Sequence, residues 1–261
     1  MTDYETLLLT FDGPFAYLTL NRPHVRNAMN AQMVLDLTAA FESLAASHDV
    51  RAVILSGADG TFCAGGDLQE LAAAVQDPDY DPLRDASQFD ALLQAVQRAP
   101  QVVVARVEGA ALGGGFGLVC VSDIAVAAAT AKMGLPEVRL GLVPALISPY
   151  VIARVGPTRA RELMLSGRRF DGVSAHEYGI VHDVCPPEVL DVALKRVLDD
   201  LRQCSPQALA ACKRLILEVS DKPLPESLAY RADLLRTLRA SVEGQEGMLA
   251  FAMKRPPRWA Q

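Results

Sequence analysis

A chain of 261 residues, 51% of them hydrophobic and 21% charged, is long enough to bury a full core and falls between one large domain and two small ones. Its 25 basic and 31 acidic residues leave a net charge of -6 with no Lys/Arg block, which argues against nucleic acid or an anionic membrane as partner. The amino terminus, Met1-Thr2-Asp3-Tyr4-Glu5, has no apolar signal core, and no apolar run reaches the roughly 18 residues of a membrane span, so a cytoplasmic protein is expected.

The elements follow in order. Two strand-like runs, Glu5 to Phe11 and Phe15 to Leu20, flank Asp12-Gly13-Pro14 and predict a hairpin. Asn30 is placed to cap a helix in which Met33, Val34, Leu37, Phe41, Leu44 and Ala45 recur at three- and four-residue steps, through about Ser47. Arg51 to Leu55 reads as a buried strand. The small-residue loop Thr61 to Asp67 follows it and leads to a helix over Leu68 to Val75. Asp77 to Pro82 is a connector before a helix from about Arg84 to Arg98. Gln101 to Val107 is the next buried strand, then comes the triplet Gly113-Gly114-Gly115, and Ile124 to Ala128 is again a strand. Strands and helices alternating over short links predict a largely parallel α/β arrangement.

Met133 to Pro144 carries glycines and prolines too closely spaced for a regular element and reads as a shaped loop. Helices are predicted over Ile147 to Val155 and Thr158 to Ser166, with a short one from Ser174 and a strand over Ile180 to Val184. Beyond Pro187 the pattern is helical only: about 187 to 203, 206 to 219, 226 to 240 and 243 to 254. The expected division is an α/β core over 1–195 and a helical region over 196–261. Five cysteines (Cys63, Cys120, Cys185, Cys204, Cys212) without a Cys-x-x-Cys pair predict reduced, mostly buried thiols. Four scattered histidines with no His-Glu-x-x-His predict no metal site.

The chemistry concentrates in two turns, residues 64 to 67 and 113 to 115. Each follows a buried strand and opens a helix, so each can aim main-chain N–H groups at one point, where together they hold an oxyanion. A tight strand-to-helix packing corner explains the glycine triplet equally well. Glu137, beside Pro136 in the irregular loop, is the candidate acid/base, since burial there raises a carboxyl pKa toward the useful range. No Gly-x-Ser-x-Gly elbow, phosphate loop or Gly-x-Gly-x-x-Gly occurs, the last because position 118 is Leu.

These residues resemble a known family. Asn21-Arg22-Pro23 with Arg26-Asn27-Ala28-Met29, Phe62 to Leu68, Glu108 to Gly115, Ser122-Asp123-Ile124, Lys132 to Glu137 and Leu140-Gly141 are similar, in order and separation, to the enoyl-CoA hydratase/isomerase (crotonase) superfamily. The resemblance implies a spiral of ββα units with a C-terminal helical trimerisation region, hence a homotrimer or a dimer of trimers. It implies an acyl-CoA thioester as substrate, with CoA as part of that substrate and no separate cofactor. Carried over by motif position, the oxyanion donors are the amides of Gly66 and Gly114, and Glu137 matches one of two glutamates found in family hydratases. The other falls on Gly117, so a two-carboxylate water clamp is not expected.

The same resemblance places Arg26, Ala28, Ala64, Gly65, Asp67, Leu68 and Gly117 along the substrate, with Arg22 or Arg26 near the CoA phosphates and Phe251 and Lys254 near a neighbouring subunit's adenine. Gly117 is expected to leave room for a branch at the β carbon of the acyl group, while Val143 to Pro149 puts bulk near the acyl pocket. Glu5 to Leu9, Arg26 to Met29, Gly114 to Leu118, Leu140 to Ala145 and Ser148-Pro149 look most like hydratases of branched, carboxylated glutaconyl-CoA esters. That implies isohexenylglutaconyl-CoA first and 3-methylglutaconyl-CoA second, in acyclic terpene or leucine breakdown. A single-glutamate enoyl-CoA isomerase and a catalytically silent binding protein remain alternatives.

Overall fold

The computed structural model describes residues 4–47 and 49–260; the first three residues, part of the amino-terminal reading, lie outside these. The predicted hairpin forms from β1 (Leu7–Asp12) and β2 (Phe15–Leu20), paired antiparallel with Leu7 opposite Leu20. In α1 (Ala31–Ala45) the Asn30 side chain accepts from the Met33 N–H at 3.0 Å, and Met33, Leu37, Ala40, Phe41 and Leu44 are buried. The cap and the stripe are those that the spacing predicts. Next come β3 (Ala52–Gly57), α2 (Leu68–Gln76) and α3 (Pro82–Arg98), the helices opened by the side chains of Asp67 and Asp81.

After β4 (Val102–Val107), β5 (Ala110–Leu112) runs into α4 (Gly114–Val121), followed by β6 (Ile124–Ala128) and β7 (Lys132–Gly134). The chain continues through α5 (Ser148–Ser166), β8 (Arg169–Asp171), α6 (Gly172–Glu177) and β9 (Asp183–Cys185). Four helices close it: α7 (Leu190–Gln203), α8 (Pro206–Val219), α9 (Leu224–Ala240) and α10 (Val242–Ala252).

The main sheet has the order β1-β2-β3-β4-β6-β9, parallel from β2 onward. A small sheet β5-β7-β8 lies apart from it and carries the site. Its three-residue strands are too short to show a period of two, so the sequence reading takes them as loop. The strand expected at Ile180 to Val184 begins later, at Asp183, and Ile180 and Val181 are buried in the turn before it. α5 holds the two helices predicted on either side of Gly156, separated by that glycine's non-helical backbone (φ 71°, ψ 164°), with Pro157 opening the second.

The boundary expected between 195 and 196 falls inside α7, an unbroken helix that buries Leu194, Leu198 and Leu201 in the main core. Further on, α8 is pinned to the core by Lys213, whose Nζ lies 2.6 Å from Asp123 Oδ2 and 3.0 Å from the Gln101 carbonyl. All five cysteines are free, but burial holds only for Cys63 and Cys120; Cys204 and Cys212 are exposed. Cys212 lies on α8 and Cys204 just beyond the end of α7, an exposure that an odd cysteine count does not reveal. Among the described residues no helix is long and apolar enough to cross a membrane.

Candidate active site

The loop after β3 is held between two other segments by main-chain bonds. On one side Cys63 N–H donates to the Ala110 carbonyl at 2.7 Å and Leu112 N–H to the Cys63 carbonyl at 3.0 Å. On the other, Ala64 N–H donates to Arg26 O at 3.1 Å, Met29 N–H to Gly65 O at 2.8 Å and Asp67 N–H to Met29 O at 2.8 Å. Residues 26–29, 63–67 and 110–112 therefore run side by side. Arg26 and Asn27 both sit at positive φ (54° and 55°), and the buried Asn27 side chain stabilises that turn by donating to the carbonyls of Ala58 and Thr61 and accepting from Arg22 N–H.

Gly113 is the junction. Its φ of +52° suits glycine, and its N–H donates to the Gly134 carbonyl at 3.0 Å, tying α4 to the end of β7. A Cβ at this position would stand 3.0 Å from Glu137 Oε1 and 3.9 Å from Gly65 Cα, so both glycine turns and the glutamate meet there. Gly114 and Gly115 are equally tight. A Cβ would lie 2.4 Å from Met29 Cε at Gly114 and 2.6 Å from the Cys63 carbonyl oxygen at Gly115. The two readings of the triplet are thus compatible, since the crowding at Gly115 is what brings the turns together. Among the described residues, neither the Gly66 nor the Gly114 N–H has an acceptor. Gly66 is exposed and Gly114 half-buried, so a ligand oxygen can reach them.

Glu137 sits in a short 3-10 helix, Pro136–Leu140, half-buried beside this junction. Its Oε2 is buried without a hydrogen-bond partner, and burial pushes the carboxyl above the usual carboxylate range. Because the folded pKa is raised above the unfolded one, this group stabilises the fold at low pH, and the contribution is lost as pH rises through the folded value. A rate that needs ionised Glu137 should accordingly fall on acidification at a pH above the ordinary carboxylate range. The pH profile of kcat/KM checks this, and Glu137→Asp or Gln should move or abolish that limb.

The other expected residues divide. Ala64 is half-buried and Gly65 buried within the ladder, and Leu68 is 57% exposed at the start of α2. The Ala28 main chain lies in the same turn, its carbonyl accepting from Arg22 Nη1 at 2.6 Å. The same nitrogen lies 3.0 Å from Asp67 Oδ2. Burial raises the Asp67 carboxyl, but Arg22 and the amides of its helix cap outweigh that and hold it below the usual range. Asp67 therefore fastens the two loops to each other, and Arg22 is committed to that task, whereas Arg26 is exposed with no ion pair among the described residues. Phe251 and Lys254 are exposed at the end of α10.

Gly117 requires a correction. The room expected beside it is filled, because a Cβ there would lie 2.3 Å from Ile147 Cγ2. Ile147 belongs to the bulky segment that the sequence flags, but its contact with α4 exists only in three dimensions. Phe89, 3.3 Å from a Cβ on Gly114, and Leu71, 3.1 Å from one on Gly66, also border the donors. Both lie on ordinary helical stripes that carry no functional signal.

The family model described as Enoyl-CoA hydratase/isomerase matches residues 11–261. Pseudomonas aeruginosa AtuE superposes with a TM-score of 0.96 at 46% identity, covering 98% of this chain and 100% of that one. An enoyl-CoA hydratase/isomerase from Marinobacter aquaeolei gives 0.94 at 41%, with 98% and 100% covered. Enoyl-CoA hydratase ACTT6 of Alternaria alternata is 36% identical over 241 residues, 90% of this chain and 78% of that protein.

Proposed function

This chain belongs to the enoyl-CoA hydratase/isomerase family, and from that premise we propose that it hydrates the double bond of a branched, carboxylated enoyl-CoA thioester with Glu137 as its only acid/base. The observation that carries the reading is the carboxyl of Glu137, raised by burial, unpaired at Oε2 and set against the junction of two turns whose amides lack acceptors. In the proposed reaction a water molecule attacks the β carbon while Glu137 takes one of its protons. The electron pair of the double bond moves onto the thioester oxygen, held by the Gly66 and Gly114 amides. Glu137 then returns the proton to the α carbon, giving the β-hydroxyacyl thioester.

The substrate order is isohexenylglutaconyl-CoA, then 3-methylglutaconyl-CoA, then straight-chain enoyl-CoA. Its support is the resemblance of the motif run to glutaconyl-CoA hydratases and the apolar side chains bordering the donors: Met29, Leu71 and Phe89. Measured kcat/KM for the three esters should fall in that order, each well-packed methylene contributing about 0.8 kcal/mol. Higher efficiency with crotonyl-CoA than with both glutaconyl esters would overturn the assignment. One observation favours isomerisation instead: with Ile147 on Gly117, a second carboxylate has no place, and moving one proton between carbons needs only one.

The proposed assembly is a trimer or a dimer of trimers. Leu224, Leu228, Val242, Leu249 and Phe251 of the helical end are exposed, Val242 at 84% and Phe251 at 87%, which is more apolar surface than a small isolated appendage leaves in water. Light scattering at micromolar concentration should give three or six times the chain mass of 28.0 kDa; a monomer would refute it.

A further inference from the structure

The two ends of the loop 138–146 touch the same turn of one helix. At its start, Glu137 Oε1 reaches Gly113; at its end, Ile147 lies on Gly117, which is one helical turn further on and donates its N–H to the Gly113 carbonyl at 3.0 Å. Ile147 is 3% exposed, and its position is fixed by the main chain. Ser148 N–H and Oγ both bond the Ala145 carbonyl, at 3.3 and 2.7 Å, and Val151 N–H bonds the Ile147 carbonyl at 3.0 Å. A β-branched side chain held this way has little rotamer freedom to yield. Any Cβ at position 117 would come within 2.3 Å of its Cγ2 and 3.1 Å of its Cβ.

We propose that Gly117 and Ile147 are a reciprocal pair, and that Ile147 determines specificity by keeping the α4 side of the site apolar and closed to a second carboxylate. This deepens the hydratase reading and rests on it for the choice of substrate. A glutamate at 117 would have to start from a Cβ already 2.3 Å from Ile147 Cγ2, so Ile147 shuts a carboxylate out of the helix face that carries Gly113 and Gly114. Ile147 fills that position with hydrocarbon instead. The ligand chemistry that fits is an enoyl thioester with an alkyl substituent on the β carbon, because that substituent meets an apolar neighbour instead of a charged one. Water is then anchored by Glu137 alone.

The test has a packing arm and a specificity arm. In the packing arm, Gly117→Ala should lower Tm, and the loss in Gly117→Ala/Ile147→Ala should be smaller than the sum of the two single losses, as for any directly clashing pair. Additive losses would overturn the pairing whatever the enzyme's reaction. In the specificity arm, Gly117→Glu should lose stability, and Gly117→Glu/Ile147→Gly should regain it. The double variant should also favour unbranched over β-methylated thioesters about tenfold more than the wild type does. Dissociation constants of the saturated, unreactive thioesters give that ratio without turnover. An unchanged ratio in a folded double variant, or a Gly117→Glu single variant as stable as the wild type, overturns the proposal. A wild type that binds the esters and hydrates none would instead remove the hydratase reading.

Discussion

Replacing Glu137 by Gln is expected to cut kcat by about 10³-fold, within the usual contribution of a positioned acid/base, while KM stays near the wild-type value. Shape is conserved and only the proton carrier is removed. The same substitution discharges a carboxylate whose ionised form burial disfavours, so Tm at neutral pH should not fall. Unfolding therefore cannot explain the loss. Steady-state kinetics beside a melting curve checks both halves. Unchanged turnover would show that Glu137 does not move the proton, and an equal loss of thioester binding would make it a binding residue.

The second large effect is expected from a residue given no chemical role. Gly115→Ala would bring a Cβ to 2.6 Å from the Cys63 carbonyl oxygen and 2.7 Å from Cys63 Cβ. That oxygen already accepts from Leu112 N–H at 3.0 Å, so neither side can yield without shifting main chain. The start of α4 must move away from the loop 63–67, and the Gly66 and Gly114 amides move apart with it. A displacement near 1 Å typically lowers kcat about 10²-fold, and overpacking costs about 1–3 kcal/mol of stability. Gly13→Ala is the control. Its φ is +54° with nothing within 4 Å of the added carbon, so it should lose some stability through backbone strain and no turnover. Equal kcat for Gly115→Ala and the wild type would mean that the spacing of the two turns does not matter to catalysis.

The sequence makes the fold legible where an element has a period long enough to recognise. The stripe Met33, Leu37, Phe41 and Leu44 with its Asn30 cap, and the apolar runs that become β3 and β4, depend on local spacing that the structure keeps. The small sheet was hidden because Ala110–Leu112, Lys132–Gly134 and Arg169–Asp171 are strands only by virtue of pairing with one another. The candidate site divides in the same way. Glycine turns and a glutamate in an irregular loop leave a trace in sequence because backbone conformation and residue type demand each other. Ile147 lies in the bulky run that the sequence flags, but its contact with Gly117, thirty residues earlier in the chain, leaves no trace there. Arg22 and Asp67 show the reverse: sequence proximity to the motifs suggests ligand contact, whereas the structure spends both in an ion pair between loops.

If one carboxylate is enough to add water, the products formed in isotopic water will show it. With a β-branched enoyl-CoA in deuterated, oxygen-18-labelled water, the expected product is a β-hydroxyacyl thioester. It should carry one oxygen-18 at the β carbon and one deuterium at the α carbon, both lost with Glu137→Gln. A shifted double bond with deuterium but no oxygen-18 would make the protein an isomerase, and unlabelled starting material would make it a binding protein; either result rules out hydration by Glu137.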